Sequence, residues 1–207
     1  TISGTVKGYA GAGNDSVIAG GASGANGGDG DDVMHAIGTA KLYGGAGNDT
    51  LSGQDILDGG AGDDVLTVQS VNTMPQANHA HIVVRGQAYG GDGDDTITGF
   101  SGVGEGAIEE VIGDPRLEGG AGNDVIYASH AFTVDAGAGD DVVHIFNDTS
   151  RGTDFSTELG AGNDVLVLHT GEYDASAGIA DFNPVQDRLA VILPQGSADA
   201  TQPVQVT

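Results

Sequence analysis

Residues Gly44–Ser52 read GGAGNDTLS, and this nonapeptide decides the fold. Its first six residues make a glycine-bearing loop that ends in aspartate, and its last three make a short piece suited to a strand. Seven further copies align on that final aspartate: AGAGNDSVI from Ala10, GGDGDDVMH from Gly27, GGAGDDVLT from Gly59, GGDGDDTIT from Gly90, GGAGNDVIY from Gly119, AGAGDDVVH from Ala136 and LGAGNDVLV from Leu159. The aspartates are Asp15, Asp32, Asp49, Asp64, Asp95, Asp124, Asp141 and Asp164, with separations of 17, 17, 15, 31, 29, 17 and 23. The value near 17 predicts one coil turn per copy, while 31 and 29 predict two turns in which one copy has decayed. A fixed period of this size is the mark of a solenoid.

The grammar of each copy has a physical reading. Glycine at the second and fourth positions permits positive φ, so that several peptide carbonyls converge without side-chain clash. A hard cation suits such a loop, because calcium takes six to eight oxygen ligands and mixes carboxylates with carbonyls. The closing aspartate supplies charge. Two residues later stands Val17, Met34, Leu51, Leu66, Ile97, Ile126, Val143 or Leu166, always apolar and expected to point inward. Their predecessors Ser16, Val33, Thr50, Val65, Thr96, Val125, Val142 and Val165 should face outward, and all but Ser16 are β-branched. A flexible acidic linker has no reason to keep an aliphatic residue at one offset in eight copies. Phosphate-binding glycine loops open a helix or carry lysine, whereas these end in carboxylates and run into strands.

Composition agrees. The 207 residues include 38 glycines, ten aromatics and no cysteine, so a large core and disulfides are both excluded. Thirty acidic against six basic residues give a net charge of -24, which opposes compaction unless cations offset it and argues against a nucleic-acid partner. No apolar run reaches the roughly 20 residues of a membrane span. The opening TISGTVKGYAG does not read as a signal peptide, and a start in mid-pattern points to a trimmed chain.

The copies resemble the nonapeptide GGxGxDxUx of the repeats-in-toxin (RTX) family over about residues 9–193. The resemblance implies an all-β, right-handed parallel β-roll or β-helix solenoid with several Ca2+ ions between the loops of successive turns. It also implies a secreted, extracellular protein exported by the type I secretion apparatus. In the family pattern the first, third and fifth loop positions offer carbonyls, and sometimes a side chain, and the sixth-position aspartate comes from the next turn. The corresponding positions are Ala10, Ala12, Asn14 and Asp15; Gly27, Asp29, Asp31 and Asp32; Gly44, Ala46, Asn48 and Asp49; and Gly59, Ala61, Asp63 and Asp64. They continue as Gly90, Asp92, Asp94 and Asp95; Gly119, Ala121, Asn123 and Asp124; Ala136, Ala138, Asp140 and Asp141; and Leu159, Ala161, Asn163 and Asp164. Asp49 is then expected to serve the ion of the Gly27 loop, and Asp64 the following one.

Departures from the family pattern shape the expectation. The opposite side of each turn is degenerate: GGASGA at Gly20–Ala25 lacks aspartate, GTAKL at Gly38–Leu42 keeps only a turn, and only Asp55 stands as an opposite-side carboxylate. One populated ladder and a second, sparse one are expected. Ala10, Ala136 and Leu159 replace the first glycine, a mild change if that position gives only a carbonyl.

The expected organisation is a roll over residues 1–178, a capping segment at 179–193 and a tail or linker at 194–207. Insertions fall near 69–89, 100–116 and 147–157. The first insertion holds His79 and His81, an i, i+2 pair without a nearby third ligand, so surface histidines are the default over zinc. The second holds GAIEEVIGDPR with Glu105, Glu109, Glu110 and Asp114, read as a single helical turn or bulging loop that is solvated rather than catalytic. The third carries Asp148, Arg151 and Asp154. In the cap, Phe182, Leu189, Val191 and Leu193 should cover the open end of the stack.

Function follows as calcium-dependent folding of a structural, secretion-assisting module. No nucleophile, base and oxyanion site occur together, so catalysis is not expected. Asp114-Pro115 is faintly similar to an epimerase motif but continues Arg-Leu. The alternative is a polysaccharide-binding or adhesin module at a cell surface, such as the repeat module of an alginate epimerase-like enzyme. An array of exposed tyrosines or basic residues along one face would favour it.

Overall fold

The computed structural model describes residues 2–4, 8–71, 80–83, 86–102, 108–112, 115–129, 132–147, 155–170 and 177–192. The strands in chain order begin with β1 (Ile2–Gly4), β2 (Gly8–Ala12), β3 (Ser16–Gly20), β4 (Gly24–Asp29), β5 (Val33–Ile37), β6 (Lys41–Ala46) and β7 (Thr50–Gly53). They continue with β8 (Ile56–Ala61), β9 (Val65–Val71), β10 (Ala80–Val83), β11 (Gln87–Asp92), β12 (Thr96–Gly102), β13 (Ile108–Ile112) and β14 (Arg116–Ala121). The last are β15 (Val125–Ser129), β16 (Thr133–Ala138), β17 (Val142–Asn147), β18 (Phe155–Glu158), β19 (Val165–Thr170), β20 (Ala177–Ile179) and β21 (Arg188–Ile192).

These strands form two long parallel sheets. One has ten strands in the order β1-β3-β5-β7-β9-β12-β15-β17-β19-β21, and the other has nine in the order β2-β4-β6-β8-β11-β14-β16-β18-β20. The chain visits each sheet once per turn, as a parallel β-roll requires. The six-residue loops carry it from the nine-stranded sheet to the ten-stranded one. All regular structure among the described residues is β.

Register follows the apolar offset. Val17, Met34, Leu51, Leu66, Ile97, Ile126, Val143, Leu166 and Leu189 are direct neighbours across the ten-stranded sheet. All but the terminal Leu189 are fully buried. From the facing sheet come Ala25, Leu42, Leu57, Ala88, Leu117 and Val134, aligned in the same way. Space is shared between the layers. A β-carbon on Gly99 would lie 2.8 Å from Leu117 Cδ1, so the glycine makes room for the leucine.

Two expectations are corrected here. The separations of 31 and 29 are single coil steps, because β9 pairs directly with β12 and β8 with β11, and β12 then pairs with β15. The surplus residues leave the roll instead of forming a decayed turn. Within the segment read as a helical turn or bulging loop, Ile108–Ile112 is a strand. It pairs in parallel with Ala80–Val83, so the two excursions stack on each other as a small sheet of their own. The run of β-branched residues in IVV and VI explains this preference. His79, Glu105, Asp114, Asp148, Arg151, Asp154, Leu193 and the tail from 194 lie outside the described residues, as do the side chains of His81, Glu109 and Glu110.

At the C-terminus Phe182 and Leu189 pack, half-buried, against the core. Asp187 lies 23 residues after Asp164, and the Asp164 N–H donates to its Oδ1 at 3.3 Å. The Arg188 N–H donates to the Asp164 carbonyl. The end segment is therefore a ninth, glycine-free copy of the repeat. Asp181 adds a second lock, accepting the Leu159 and Gly160 N–H groups at 2.8 and 2.7 Å.

Candidate metal centre

The loop geometry starts with its glycines. Gly45 and Gly47 have φ of 122° and 125°, inside the region that side-chain-bearing residues avoid, and the glycine at the second loop position of every copy shares it. Stacking adds a second requirement, because a β-carbon on Gly45 would lie 2.1 Å from the Gly28 carbonyl oxygen of the preceding turn. The loops are thus layered backbone on backbone. The fourth-position N–H of each turn donates to the third-position carbonyl of the next, as Gly30 does to Ala46 at 2.7 Å and Gly47 to Ala61 at 2.8 Å.

Two side-chain ladders run through these layers in opposite directions. Along the exposed edge, the fifth-position side chain reaches forward: Asp31 Oδ1 accepts the Asn48 N–H, Asn48 Oδ1 accepts that of Asp63, and Asp63 Oδ1 that of Asp94, each at 3.0 Å. Inside, the sixth-position carboxylate reaches back. Asp32 Oδ1 accepts the Asp15 N–H at 2.7 Å, Asp49 Oδ1 that of Asp32 at 2.7 Å, and Asp64 Oδ1 that of Asp49 at 2.7 Å. The series continues through Asp95, Asp124, Asp141 and Asp164.

Each inner carboxylate keeps one oxygen unused. The Oδ2 atoms of Asp32, Asp49, Asp64, Asp95, Asp124, Asp141 and Asp164 are buried without a hydrogen-bond partner. A buried, unpaired carboxylate oxygen costs several kcal/mol by ordinary transfer arguments, and seven in single file require an explanation. Burial is also the leading cause of altered acidity along the ladder from Asp49 onward. It pushes Asp49, Asp64, Asp124 and Asp141 up to about 6 and Asp95 up to about 7, with neighbouring aspartates of the ladder adding repulsion. Asp164 moves in the same direction.

The first loop position completes the arrangement. It points inward, and a β-carbon on Gly44 would lie 2.2 Å from Asp49 Oδ2 and 2.5 Å from the Gly59 carbonyl oxygen. Gly27, Gly59, Gly90 and Gly119 repeat this cradle with their own aspartate and the next turn's first-position carbonyl. Here glycine leaves room for two oxygens from successive turns. The replacements in other copies are therefore more than a carbonyl-preserving change, since Ala136 and Leu159 bury their side chains completely at this position.

The donors that converge are all oxygen, carboxylate or carbonyl, without imidazole or sulfur. That set suits a hard divalent cation such as calcium. Nonapeptide by nonapeptide, the chain matches the model of the RTX calcium-binding nonapeptide repeat in four copies, over residues 9–23, 38–66, 87–103 and 113–130. Over these spans the chain carries RTX calcium-binding repeats. Comparison with curated proteins gives no match. The copies from Gly27, Ala136 and Leu159 lie outside the matched spans, yet the structure holds them in the same two ladders.

Of the residues singled out from the sequence, the structure brings the sixth-position aspartates and first-position carbonyls together inside the roll. The third-position residues Ala12, Asp29, Ala46, Ala61, Asp92, Ala121, Ala138 and Ala161 are exposed, and from Asp29 onward their carbonyls accept inter-turn hydrogen bonds. The fifth-position side chains form the outer ladder, a role the nonapeptide grammar hinted at only through its choice of Asn or Asp. Asp187 joins the inner ladder, and its DxL spacing was the available signal. On the opposite side Asp55 gives its carbonyl to the Gln87 N–H.

Proposed function

We propose that this RTX roll is a calcium-gated folding module of an exported bacterial protein, assembling outside the cell and assisting secretion by staying unfolded until then. The observation that carries this reading is the file of buried, unpartnered Asp Oδ2 atoms, those of Asp32, Asp49, Asp64, Asp95 and Asp124 lying at a cradle shared with a carbonyl from the next turn. Without a cation these carboxylates repel one another in a dry interior, and the glycine-rich chain loses much entropy on ordering. Bound Ca2+ supplies charge neutralisation and a bond between turns.

Asp32, Asp49, Asp64, Asp95, Asp124, Asp141 and Asp164 would hold the ions, together with carbonyls of the first, third and fifth loop positions. Low intracellular calcium then favours the extended, export-ready chain, and millimolar extracellular calcium favours the roll, binding and folding being one event. The role is structural rather than catalytic. Far-ultraviolet circular dichroism with calcium and with a chelator tests it: the expected result is a cooperative gain of β-structure on calcium addition. An unchanged spectrum refutes the reading.

A further inference from the structure

The outer face of the nine-stranded sheet carries a row that the calcium ladder does not use. In register across it stand Tyr9, Asn26, Tyr43, Asp58 and Tyr89, one per turn, all pointing away from the core. Tyrosine recurs on every second turn. With neighbouring strands about 4.7–4.9 Å apart, the rings repeat at about 9.5 Å along the roll axis. Tyr9 is 66% exposed and Tyr43 38%, a large outlay of aromatic surface in a chain with only ten aromatic residues.

At the N-terminal end this row borders a groove of about 760 Å³ whose lining includes Tyr9, Tyr43, Asn26, Lys41 and Asp55. Gly24 also lines it, in the outward row beside Lys41. Nothing in the backbone demands glycine there. Gly24 does not have a positive φ, and an added β-carbon would make only ordinary contacts, 3.7 Å to the Lys41 carbonyl oxygen and 4.0 Å to Tyr43 Cε2. Glycine weakens a strand, and one that neither backbone nor packing requires marks a place kept open for close approach.

We propose that this groove and tyrosine row bind an extended, neutral polysaccharide. Tyrosine rings offer flat apolar faces for the C–H faces of pyranose rings while their hydroxyls stay wet. Asn26, Lys41 and Asp55 supply both donors and acceptors for sugar hydroxyls. The repeat of about 9.5 Å matches a disaccharide unit of an extended chain better than it matches a single ring. Charge selects the class: Asp55 lines the groove and Asp58 lies in the tyrosine row, so an anionic polysaccharide is repelled. The inference depends on the calcium reading only in needing a folded roll.

The test is isothermal titration of the full chain in millimolar calcium with a β-1,4-linked glucose hexasaccharide, and in parallel with a uronate hexasaccharide. Folding of each sample is verified by circular dichroism, so that a failure of calcium-dependent folding is seen separately. Binding of the neutral probe is expected, weakened about ten-fold or more by Tyr43→Ala and by Tyr9→Ala, and unchanged by Phe100→Ala on the outer face of the other sheet. Gly24→Val is the decisive variant, expected to fold at least as stably as the parent and to lose binding because its side chain enters the groove. No binding of the neutral probe by the folded parent, preference for the uronate, or retained affinity in Gly24→Val and Tyr43→Ala each overturns the proposal.

Discussion

Asp49 bonds back to Asp32 through one carboxylate oxygen, Oδ1 accepting the Asp32 N–H at 2.7 Å, and leaves the other buried without a partner. That half-satisfied carboxylate is the unit from which the behaviour of the roll follows. It joins two turns by a hydrogen bond and presents a buried negative oxygen that the protein itself does not neutralise.

Asp49→Asn should separate these two roles. The amide keeps the Oδ1 acceptor and places an NH2 donor where the unpaired oxygen lay, close to the Gly59 carbonyl. Circular dichroism in chelator should show more β-structure in the variant than in the parent, its metal-free roll being favoured by about 1–3 kcal/mol, the ordinary cost of an unsatisfied buried group. Calcium should then stabilise it less. A loss of stability in both conditions would contradict the role given to Oδ2.

Asp49→Ala should weaken calcium-induced folding far more than Asp29→Ala. Asp29 is exposed, and its carbonyl, which receives the Gly13 N–H, survives the substitution. Calcium titrations followed by circular dichroism should show a shift of several-fold or more for Asp49→Ala and little for Asp29→Ala. Equal shifts would count against the division of labour between positions.

The first loop position offers a reciprocal pair. Gly44→Ala puts a methyl group against Asp49 Oδ2 and the Gly59 carbonyl, and should cost about 1–3 kcal/mol as overpacking, with a further loss of calcium response. Ala136→Gly opens the corresponding place in its own copy and should raise calcium affinity. Thermal melts at fixed calcium check both, and opposite signs are the expected outcome.

Metal-free stability should fall as pH rises. Asp49, Asp64, Asp124 and Asp141 titrate near 6 and Asp95 near 7 in the fold, against 3.8 ordinarily, chiefly because they are buried. Between these values the folded chain holds protons that the unfolded chain has released, so their favourable contribution is complete below about 3.8 and is lost as pH rises through about 6 to 7. Circular dichroism in chelator should show more β-structure at pH 5 than at pH 7.5. Calcium should stabilise most at the higher pH, since protons compete for the same oxygens.

Much of this was legible in the nonapeptide. The offset from Asp49 to Leu51 fixed which strand face is inward, and Gly45 and Gly47 announced the positive-φ loops, because both depend on local geometry alone. The pairing of β10 with β13 was not legible, since two segments far apart in sequence meet only through the register that the roll imposes. For the same reason 31 and 29 looked like two turns: spacing counts residues and cannot tell a turn from an excursion. The inward aim of the first position also escaped, as a glycine shows no side chain whose polarity would betray its direction.

The proposed calcium ligands are the buried Oδ2 atoms of the inner ladder. The most direct measurement is calcium binding by equilibrium dialysis, comparing the parent with a variant in which Asp49, Asp64, Asp95, Asp124 and Asp141 are all asparagine. The parent should bind several ions steeply, whereas the variant should fold in chelator and take up few or none. Equal calcium uptake by the two proteins would contradict this ligand assignment.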